Sequence, residues 1–536
     1  MWILIGSGKP QWTIFRHNGP MFPPEYEPHL IPVIFNGEKI TLPPLAEEYA
    51  TLYAKYVGTD YVEKPKFNKN FFKDFKKVLP SNLKNSSIED FDFSLIKTYL
   101  EKKSQERKDM TKEEKALLKK KNEEKEEPYK YCVIDGSKET VGNFKLEPPG
   151  IFLGRGEHPK IGSVKKRIRP EDITLNLDKT APIPKINVDG KWGNIINDDS
   201  VIWLATWKDE ITDKNKYIFT SMDSIFKSKS DESKFDLAKK LKRKINSIRT
   251  EYESKLDSES EKAKQLATAL YFIDRFALRV GGKKDKKEEA DTVGVTSLRV
   301  EHITLIPPNI VKLDFLAKDS VRYCKKVSVP KLVYENLEKF INSKNKKDQL
   351  FDRISASSMN DYLEDFMKDL TAKVFRTYNA SFLFQKELDK INEERVMAIH
   401  ESERINYLLN LFNQANTEVA LLCNHQKSVS SNIDSQVEKF DKKLKELKKK
   451  KKKYLEKKNK EKAELAESKI KLLKLKKNNK INQKNVSLST SKDNYIDPRI
   501  IFAFVKRFDI PTDKILTESQ TKKFNWASEV DKNYRF

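Results

Sequence analysis

The segment from Gln436 to about Asn482 differs sharply in composition from the sequence on either side. Residues 441–460 hold twelve lysines against three acidic residues. Apolar residues form only a sparse stripe, at Leu444, Leu447, Leu455, Leu465, Ile470 and Leu473. This pattern predicts a long basic helix, or a helical hairpin that turns near 456–460 without a glycine or proline to enforce the turn. Its lysine face could lie along phosphates or simply be solvated.

The charge balance of the whole chain favours a polyanionic partner. Its 536 residues carry 105 Lys and Arg against 80 Asp and Glu, a formal net charge of +25, and 38% of them are hydrophobic. Nucleic acid is the commonest polyanion, although charge alone does not distinguish DNA from RNA or an acidic membrane. At about 150 residues per domain, the length predicts three or four folded units.

The cysteines and the N-terminus bear on the compartment. Cys132, Cys324 and Cys423 are far apart and have no spacing typical of zinc sites or disulfide frameworks, which fits a reducing environment. The apolar Trp2–Ile5 is too short for a signal peptide, and no later stretch approaches about 18 apolar residues. We therefore expect a soluble intracellular protein.

The N-terminal part of the chain predicts a mixed α/β region. A charged helical stretch runs from Ile88 to about Lys121, and its polarity suggests that it projects into solvent or toward a charged partner. Short strands and turns follow from Tyr131 to Trp207. The glycines around Arg155 in this region could let the backbone approach phosphate or could simply form a turn.

The middle of the chain predicts a buried helical core and a hairpin. Apolar residues at helical spacing begin near Lys234, and a more apolar helix is predicted from about Ala263 to Arg279, which places Arg279 on the last turn as a capping cation. The alternation from Ile310 to Val329 predicts a β-hairpin with Lys318 at its tip. Such a lysine can reach into a groove or be merely solvated.

Further helices are predicted on both sides of the basic segment. One ends at 372–380 and includes Arg376, and another runs through 419–426. In the second, His425 ends an apolar run, a position that suits a core or capping residue as well as a catalyst. Asp497 and Pro498 indicate a helix N-cap and first position. Tyr495 therefore lies just before a helix N-terminus, where donors could meet a phosphate, although a tyrosine there is structurally ordinary.

Several motifs in combination resemble those of the eukaryotic type IB DNA topoisomerases. They are Asn143-Phe144-Lys145, Glu147–Gly150, Ala269–Asp274, Ala290–Gly294, Ser297–His302, Lys318–Ser320, Thr371–Ser381, Leu422–Gln426, Ser491–Arg499 and Lys523–Ala527. The resemblance extends over almost everything from about Trp12. It implies a multidomain α+β fold: a bilobed DNA clamp with a mixed α/β cap, a mainly helical catalytic subdomain, a coiled-coil linker and a small helical C-terminal domain.

The resemblance also implies domain boundaries. Residues 1–27 and 111–235 correspond to core subdomain I of the cap, and residues 28–110 to core subdomain II with its projecting helices. Residues 236–428 correspond to the catalytic core subdomain III, 429–484 to the linker and 485–536 to the C-terminal domain. The family's long charged N-terminal extension has no counterpart in Met1–Gln11, so we expect a trimmed or unusually compact version.

The family's active site can be carried over residue by residue. Tyr495 matches the nucleophile that forms a 3′-phosphotyrosine, and Arg279 and Arg376 match the arginines that clamp the nonbridging oxygens. His425 matches the histidine that donates to one of those oxygens, and Lys318 matches the lysine that protonates the departing 5′-oxygen. Charge grows on the equatorial oxygens in phosphoryl transfer, and preorganised cations can stabilise it without a metal or nucleotide cofactor.

Other positions match the family's phosphate or groove contacts: Asn143, Lys145, Arg155, Lys227, Asp319, Gln426, Thr490 and Asn494. Two residues depart from the pattern, because Leu153 stands where many relatives have a second arginine and Gly282 where they often have asparagine. The implied partner is double-stranded DNA, held by a monomer, in the nucleus.

Two other classes of protein remain as alternatives. A tyrosine recombinase uses similar chemistry but usually carries histidine three residues before its second arginine, where this sequence has Lys373. A non-enzymatic chromatin or RNA scaffold would use the basic helices only to bind polyanions.

Overall fold

The computed structural model of the protein describes residues 10–285, 288–342, 344–426 and 433–536. The chain divides into two compact units: unit 1 comprises Met1–Lys227 with Lys284–Asp291, and unit 2 comprises Ser228–Lys283 with Thr292–Phe536. The structure is a mixed α/β multidomain fold, as expected from the sequence. The apolar Trp2–Ile5 and the expected boundary at 428/429 lie outside the described residues.

Unit 1 contains most of the strands. In chain order they and the intervening helices are β1 (Phe15–His17), β2 (Val33–Phe35), β3 (Glu38–Ile40), α1 (Pro44–Ala54), α2 (Pro65–Val78), β4 (Phe91–Asp92), α3 (Ser94–Asp109), α4 (Lys112–Glu126), β5 (Tyr131–Ile134), β6 (Ser137–Gly142), β7 (Gly150–Ile151), β8 (Val164–Lys165), β9 (Thr174–Asn176), β10 (Asn194–Ile196), β11 (Trp203–Asp209) and β12 (Lys214–Thr220). A seven-stranded sheet has the order β1-β5-β6-β12-β11-β9-β10, in which only β9 and β10 pair in parallel.

A second core of unit 1 forms around α2. Phe67, Phe71 and Phe75 recur every four residues and are fully buried, so one face of this lysine-rich helix packs inward while the lysines remain outside. Their rings contact those of Tyr53 and Phe93. These aromatic contacts hold the lysine-rich helix α2 against the rest of unit 1.

The charged stretch predicted to be helical from Ile88 to Lys121 begins instead with a turn at Ile88–Asp90 and strand β4, and only from Ser94 does it form two helices, α3 and α4. The break occurs because Thr111 is an N-cap, whose hydroxyl accepts a hydrogen bond from the backbone N–H of Glu114 at 3.1 Å. Ile96 is the buried residue of α3, and α4 buries none of its residues. The charged residues of this region therefore belong to two helices that are largely exposed to solvent.

Unit 2 is mainly helical. Its elements are α5 (Ile225–Ser254, from Ser228 onward), α6 (Glu261–Phe276), β13 (Ile303–Ile306), β14 (Ile310–Leu316), β15 (Arg322–Ser328), α7 (Lys331–Asn342), α8 (Ala356–Glu364), α9 (Ala372–Leu388), α10 (Glu393–Met397), α11 (Glu401–Leu422), α12 (Ile433–Glu456), α13 (Lys460–Asn482), α14 (Ser489–Asn494), α15 (Pro498–Arg507) and α16 (Glu518–Lys523). The predicted hairpin is confirmed, since β14 and β15 pair antiparallel on either side of Lys318. One apolar core joins these helices to the three-stranded sheet of β13, β14 and β15.

The lysine-rich segment forms a helical hairpin, which is one of the two predicted alternatives, rather than a single long helix. Helices α12 and α13 run antiparallel, with ion pairs from Lys451 to Glu467 at 2.7 Å and from Lys477 to Asp441 at 2.6 Å. The turn between them lies within the predicted 456–460, where Lys458 adopts a φ of +56° in place of a glycine. Helix α13 also contacts α11, because Asn479 Nδ2 donates to the carbonyl oxygen of Asn410 at 2.8 Å.

Three helix boundaries near the candidate residues were predicted wrongly. Helix α6 ends at Phe276, because Ala277 is a left-handed cap with a φ of +50°, so Arg279 lies beyond the helix rather than on its last turn. Helix α9 begins at Ala372 and does not end near Ala380. Helix α11 ends at Leu422, three residues before His425.

Candidate active site

Tyr495 lies in a short link between two helices. The preceding helix, α14, was not predicted, whereas the predicted cap of α15 is confirmed: the Asp497 carboxylate accepts from the backbone N–H of Arg499 at 2.9 Å, and Pro498 occupies the first turn. Ser381 on α9 holds the link, because its hydroxyl donates to the Tyr495 carbonyl oxygen at 3.1 Å and accepts from Asp497 N at 2.9 Å. The tyrosine backbone is therefore fixed against the helical core.

Arg376 is buried and held from two sides. On α9 its side chain is 5% exposed, Nη1 donates to the Ala277 carbonyl oxygen, and Nη2 donates to the Cys423 carbonyl oxygen at 3.1 Å. These two carbonyls lie just after α6 and α11, respectively. The guanidinium carbon stands 4.9 Å from the centroid of the Tyr495 ring. One arginine thus joins the ends of two helices to the tyrosine.

The backbone at Arg279 is positioned where the chain segments that contain Gly281 and Gly294 pass close to each other. Val295 N donates to the Arg279 carbonyl oxygen at 2.9 Å, and Thr296 N donates to that of Val280 at 2.7 Å. A side chain on Gly281, whose φ is +85°, would come within 2.7 Å of the Gly294 backbone. Burial and the neighbouring charge of Arg376 lower the pKa of Arg279. Two guanidinium groups therefore share this site.

His425 lies three residues beyond α11, and its ring is 7% exposed. Its Nδ1 lies 2.9 Å from Ser491 Oγ on α14, and its ring centroid is 5.3 Å from that of Tyr495. Burial, followed by the positive charges of Arg376 and Arg279, lowers the pKa of His425 to about 4. The imidazole is consequently neutral near pH 7.

Lys318 stands at the tip of the hairpin, as predicted, and is exposed. The tip is closed by a hydrogen bond from Ala317 N to the Val321 carbonyl oxygen at 2.8 Å, and both Asp319 and Ser320 have positive φ values. Lys318 and Asp319 line a cavity of about 140 Å³, which Arg279, Arg376, His425, Gln426 and Thr490 also line. The structure thus brings four of the five predicted catalytic residues to one cavity, and the ring of Tyr495 lies against Arg376 and His425.

The cavity has unused hydrogen-bonding capacity. Among the described residues, Nε of Arg376 and Nε2 of His425 are buried without a hydrogen-bond partner. A buried donor without a partner costs free energy, so its presence points to a ligand that supplies an acceptor. Two guanidinium groups, a neutral imidazole and a lysine around one cavity provide the chemistry to bind an oxyanion, and the phenol beside them is a nucleophile.

The predicted DNA contacts fall into two groups. In unit 2, Asp319, Gln426 and Thr490 line the same cavity, and the exposed Asn494 donates through Nδ2 to the Thr490 carbonyl oxygen at 3.1 Å. These four predicted residues therefore surround the candidate catalytic group.

The other four predicted contacts belong to unit 1. Asn143 and Lys145 line a larger cavity of about 580 Å³, and Lys145 pairs with Glu126 at 2.5 Å. Arg155 is exposed, and Lys227 donates through its backbone to Ser224 Oγ at 3.3 Å. Asn143 and Lys145 are therefore the two of these four that share a cavity.

Sequence reasoning missed the residues that hold the site in place. Ser381, Ser491 and the carbonyls of Ala277 and Cys423 fix the candidate catalytic groups, yet serines and backbone groups carry no distinctive signal in a sequence. The glycine pair offered a partial signal, because Gly294 ends the motif Ala290–Gly294 and Gly281 lies two residues after Arg279.

The described residues contain neither a cluster of metal ligands nor a helix suited to cross a membrane. Nowhere in these ranges do three or more His, Cys, Asp or Glu side chains group as they would around a metal ion. None of the helices described is long and apolar enough to cross a membrane.

Comparison with known proteins covers almost the whole chain. Residues 10–220 match the family model described as eukaryotic DNA topoisomerase I, DNA binding fragment, and residues 223–458 match eukaryotic DNA topoisomerase I, catalytic core. Residues 467–536 match the C-terminal topoisomerase domain.

Several curated proteins are similar over nearly all of this sequence. DNA topoisomerase 1 beta of Arabidopsis thaliana is 41% identical over 99% of this chain and 60% of its own length, so the chain spans only three-fifths of that relative. DNA topoisomerase 1 of Candidozyma auris is 39% identical over 99% of this chain and 84% of its own, and that of Homo sapiens is 39% identical over 98% and 72%, respectively. The chain therefore belongs to the eukaryotic DNA topoisomerase I family.

Proposed function

We propose that the protein is a type IB DNA topoisomerase, which cuts one strand of duplex DNA through Tyr495, lets the duplex rotate and reseals the strand. The observation that carries this proposal is that two buried nitrogens, Arg376 Nε and His425 Nε2, have no hydrogen-bond partner among the described residues and belong to side chains that line one cavity, with the Tyr495 ring beside both. A phosphodiester would supply an acceptor oxygen to Arg376 Nε, and to His425 Nε2 when that nitrogen carries the hydrogen. Its phosphorus would then lie within reach of a phenol.

In the proposed cleavage step, the phenolic oxygen of Tyr495 attacks phosphorus and the bond from phosphorus to the 5′-oxygen breaks. The phenol loses its proton to solvent, while the Lys318 ammonium gives a proton to the departing 5′-oxygen. Arg279 and Arg376 stabilise the charge that grows on the two nonbridging oxygens, and His425 donates to one of them through Nε2–H. The products are a 3′-phosphotyrosine and a free 5′-hydroxyl.

Resealing reverses the same step. One phosphodiester has been exchanged for another, so the energy of the broken bond is retained and no ATP is needed for the 5′-hydroxyl to attack the phosphotyrosine. Because the protein's own cations replace the charge that a metal would provide, the proposed reaction requires no metal cofactor. Rotation about the intact strand before resealing would release supercoils of either sign.

The proposal assigns a role to each part of the chain. Residues 1–27 with 111–235, and residues 28–110, would form the two subdomains of the cap, and residues 236–428 the catalytic subdomain of a bilobed clamp around the duplex. Residues 429–484 would serve as a coiled-coil linker, and 485–536 as the domain that carries the nucleophile. The net charge of +25 suits a DNA partner. We further propose that the protein encloses the duplex as a monomer and acts in the nucleus.

The test is relaxation of a negatively supercoiled plasmid in EDTA without ATP. We expect relaxation by the wild-type protein and none by Tyr495→Phe, which keeps the ring and removes the nucleophilic oxygen. Tyr362→Phe is the matched control, because Tyr362 lies on α8 in the same unit but outside the site, and we expect it to relax the plasmid normally. Denaturing the reaction should trap protein on the 3′ end of the cut strand.

The same experiment separates the alternatives. Relaxation by Tyr495→Phe would rule out Tyr495 as the nucleophile. A scaffold would shift the plasmid on a gel without relaxing it and without forming a covalent complex. A recombinase-like strand transferase would join the trapped 3′ end to a second duplex only through a multimeric complex, so activity that rises linearly from the lowest protein concentration favours the topoisomerase.

A further inference from the structure

Ser491 links the two sides of the candidate active site. Its side chain is fully buried in α14, and its hydroxyl oxygen lies 2.9 Å from Nδ1 of His425. Its carbonyl oxygen accepts from Tyr495 N at 2.9 Å and from Ile496 N at 3.0 Å. One residue thus contacts the histidine through its side chain and the tyrosine through its backbone.

We propose that Ser491 is a positioning residue, whose hydroxyl donates to Nδ1 of His425 and so holds the imidazole as the tautomer that carries its hydrogen on Nε2. This inference rests on the proposed function, because it concerns how His425 meets the phosphate. A neutral imidazole has a single N–H, so the partner of one ring nitrogen decides whether the other is a donor or an acceptor.

The surroundings of the ring favour the donor form at Nε2. That nitrogen is buried and, within the described chain, has no hydrogen-bond partner, while it shares its cavity with Arg279 and Arg376. A phosphate drawn there by two guanidinium groups offers only acceptors. If Nε2 carried no hydrogen, its lone pair would face the phosphate oxygens and repel them. With a hydrogen on Nε2, the imidazole joins the two guanidinium groups as a donor to those oxygens.

The arrangement also makes the histidine depend on the segment that delivers the tyrosine. Helix α14 is fixed at its start by Asn416 Nδ2, which donates to the Leu488 carbonyl oxygen at 3.1 Å, and at its end by Lys492 Nζ, which donates to that of Ile515 at 2.7 Å. Ser487 N, just before α14, donates to the His425 carbonyl oxygen at 2.8 Å. Docking of this segment would therefore set the tautomer of His425 and place Tyr495 together.

The tautomer can be measured in the DNA-free protein without any assay of activity. Long-range ¹H–¹⁵N spectra of protein labelled at its six histidines distinguish the two ring nitrogens, and His425→Ala assigns the signal. We expect wild-type His425 to carry its hydrogen on Nε2 at pH 7, and Ser491→Ala to give a mixture of tautomers. A wild-type histidine protonated at Nδ1 would overturn the proposal, whatever the variants do.

A double-mutant cycle tests whether Ser491 acts through His425. We expect Ser491→Ala to slow single-turnover cleavage of an oligonucleotide duplex about tenfold with little change in DNA affinity, the size of one lost hydrogen bond in the transition state. In the His425→Ala protein, Ser491→Ala should not slow cleavage any further. Ser491→Thr, which retains the hydroxyl, should recover most of the rate.

The buried Ser381 provides the matched control. Ser381 holds the backbone of the Tyr495 link but does not contact His425, so the effect of Ser381→Ala should be additive with that of His425→Ala and should leave the tautomer unchanged. Additivity for Ser491→Ala would overturn the inference while leaving the topoisomerase proposal intact. Failure of the wild-type protein to relax DNA would instead overturn the proposed function.

Discussion

The guanidinium carbon of Arg376 lies 4.9 Å from the centroid of the Tyr495 ring. The guanidinium of Arg376 donates hydrogen bonds to the carbonyl oxygens of Ala277 and Cys423, so its orientation is set before any substrate binds. The tyrosine is held independently, through Ser381. The proposed cation and nucleophile therefore meet as two prepositioned groups, which is how a site stabilises a transition state without reorganising.

Arg376→Lys should show how much this geometry contributes. The three donors of an ammonium sit on one nitrogen, whereas Arg376 bonds the two carbonyls through two separate nitrogens and keeps Nε as a third. Lysine therefore cannot reproduce the planar fork of the guanidinium. We expect the single-turnover cleavage rate to fall about 10²–10³-fold, as for the loss of one preorganised donor, with a much smaller change in DNA affinity.

Arg353→Lys is the control for the arginine substitution, since Arg353 is exposed and lies outside the cavity. It should cleave at the wild-type rate. A rate for Arg376→Lys within twofold of wild type would show that positive charge alone suffices at this position.

Gly281→Ala should disturb the site through Arg279. The substitution places a methyl group in a backbone with a φ of +85° and within 2.7 Å of Gly294, so the crossing that fixes Arg279 must open. We expect a loss of about 1–3 kcal/mol in the free energy of unfolding together with slower cleavage. The adjacent Gly282 is the matched control, because a Cβ there meets no atom of the described residues within 4 Å.

Urea denaturation and single-turnover cleavage of both glycine variants give the measurement. Gly282→Ala should match wild type in both. If Gly281→Ala were as stable and as active as Gly282→Ala, the glycine crossing would have no part in positioning Arg279.

Much of the fold follows from local patterns in the sequence. The β14–β15 hairpin with Lys318 at its tip, the basic helical hairpin and the Asp497 cap were all predicted, because alternation, charge runs and capping residues act within a few positions of each other. Helix α14 was missed. Its six residues are polar and too few to show a period.

The parts that could not be predicted depend on distant contacts. Helix α6 stops at Ala277, an alanine in a left-handed conformation, and the carbonyl of that residue is bonded by Arg376, ninety-nine positions along the chain. No pattern in the sequence near Ala277 indicates that the helix ends there or that Arg376 binds its carbonyl oxygen. The grouping of Arg279, Lys318, Arg376 and His425 at one cavity likewise came from family resemblance rather than from any spacing rule.

The stability of the protein should depend on pH through His425. Its pKa is lowered from 6.5 to about 4 in the folded state, by burial and then by the charges of Arg376 and Arg279. Between these two values the unfolded chain binds a proton that the folded chain does not. The contribution of neutral His425 to the free energy of unfolding is therefore fully present above pH 6.5 and is lost as the pH falls toward 4. The loss from this group amounts to about 3 kcal/mol.

His425→Gln should lose less stability over that window. The measurement is the difference between the unfolding free energies at pH 7 and pH 4.5 in DNA-free protein, for wild type and variant. His17, buried in unit 1, also has its pKa lowered to about 4 by burial, so His17→Gln serves as a parallel case. Equal pH dependence in wild type and His425→Gln would mean that His425 titrates normally in the folded protein.

The lysine face of α12 should influence rotation more than chemistry. Lys448, Lys449, Lys450, Lys452 and Lys453 are exposed, whereas the inter-helix pairs of Lys451 and Lys477 hold the hairpin together. Changing the five exposed lysines to glutamine therefore removes charge while leaving these pairs intact. If the five lie along DNA, each neutralised phosphate that is lost lowers the salt slope of binding by about 0.9.

We expect the glutamine variant to cleave short duplexes at the wild-type rate but to relax plasmid with a processivity that falls at lower salt. The same five positions changed to arginine keep the charge and should behave as wild type, which separates an electrostatic brake from an effect of side-chain shape. Because α13 also packs on α11 through Asn479, deletion of the whole hairpin would disturb the core, and charge removal is the cleaner test. Unchanged salt dependence of binding and relaxation in the glutamine variant would make the lysine face a solvated surface with no part in controlling rotation.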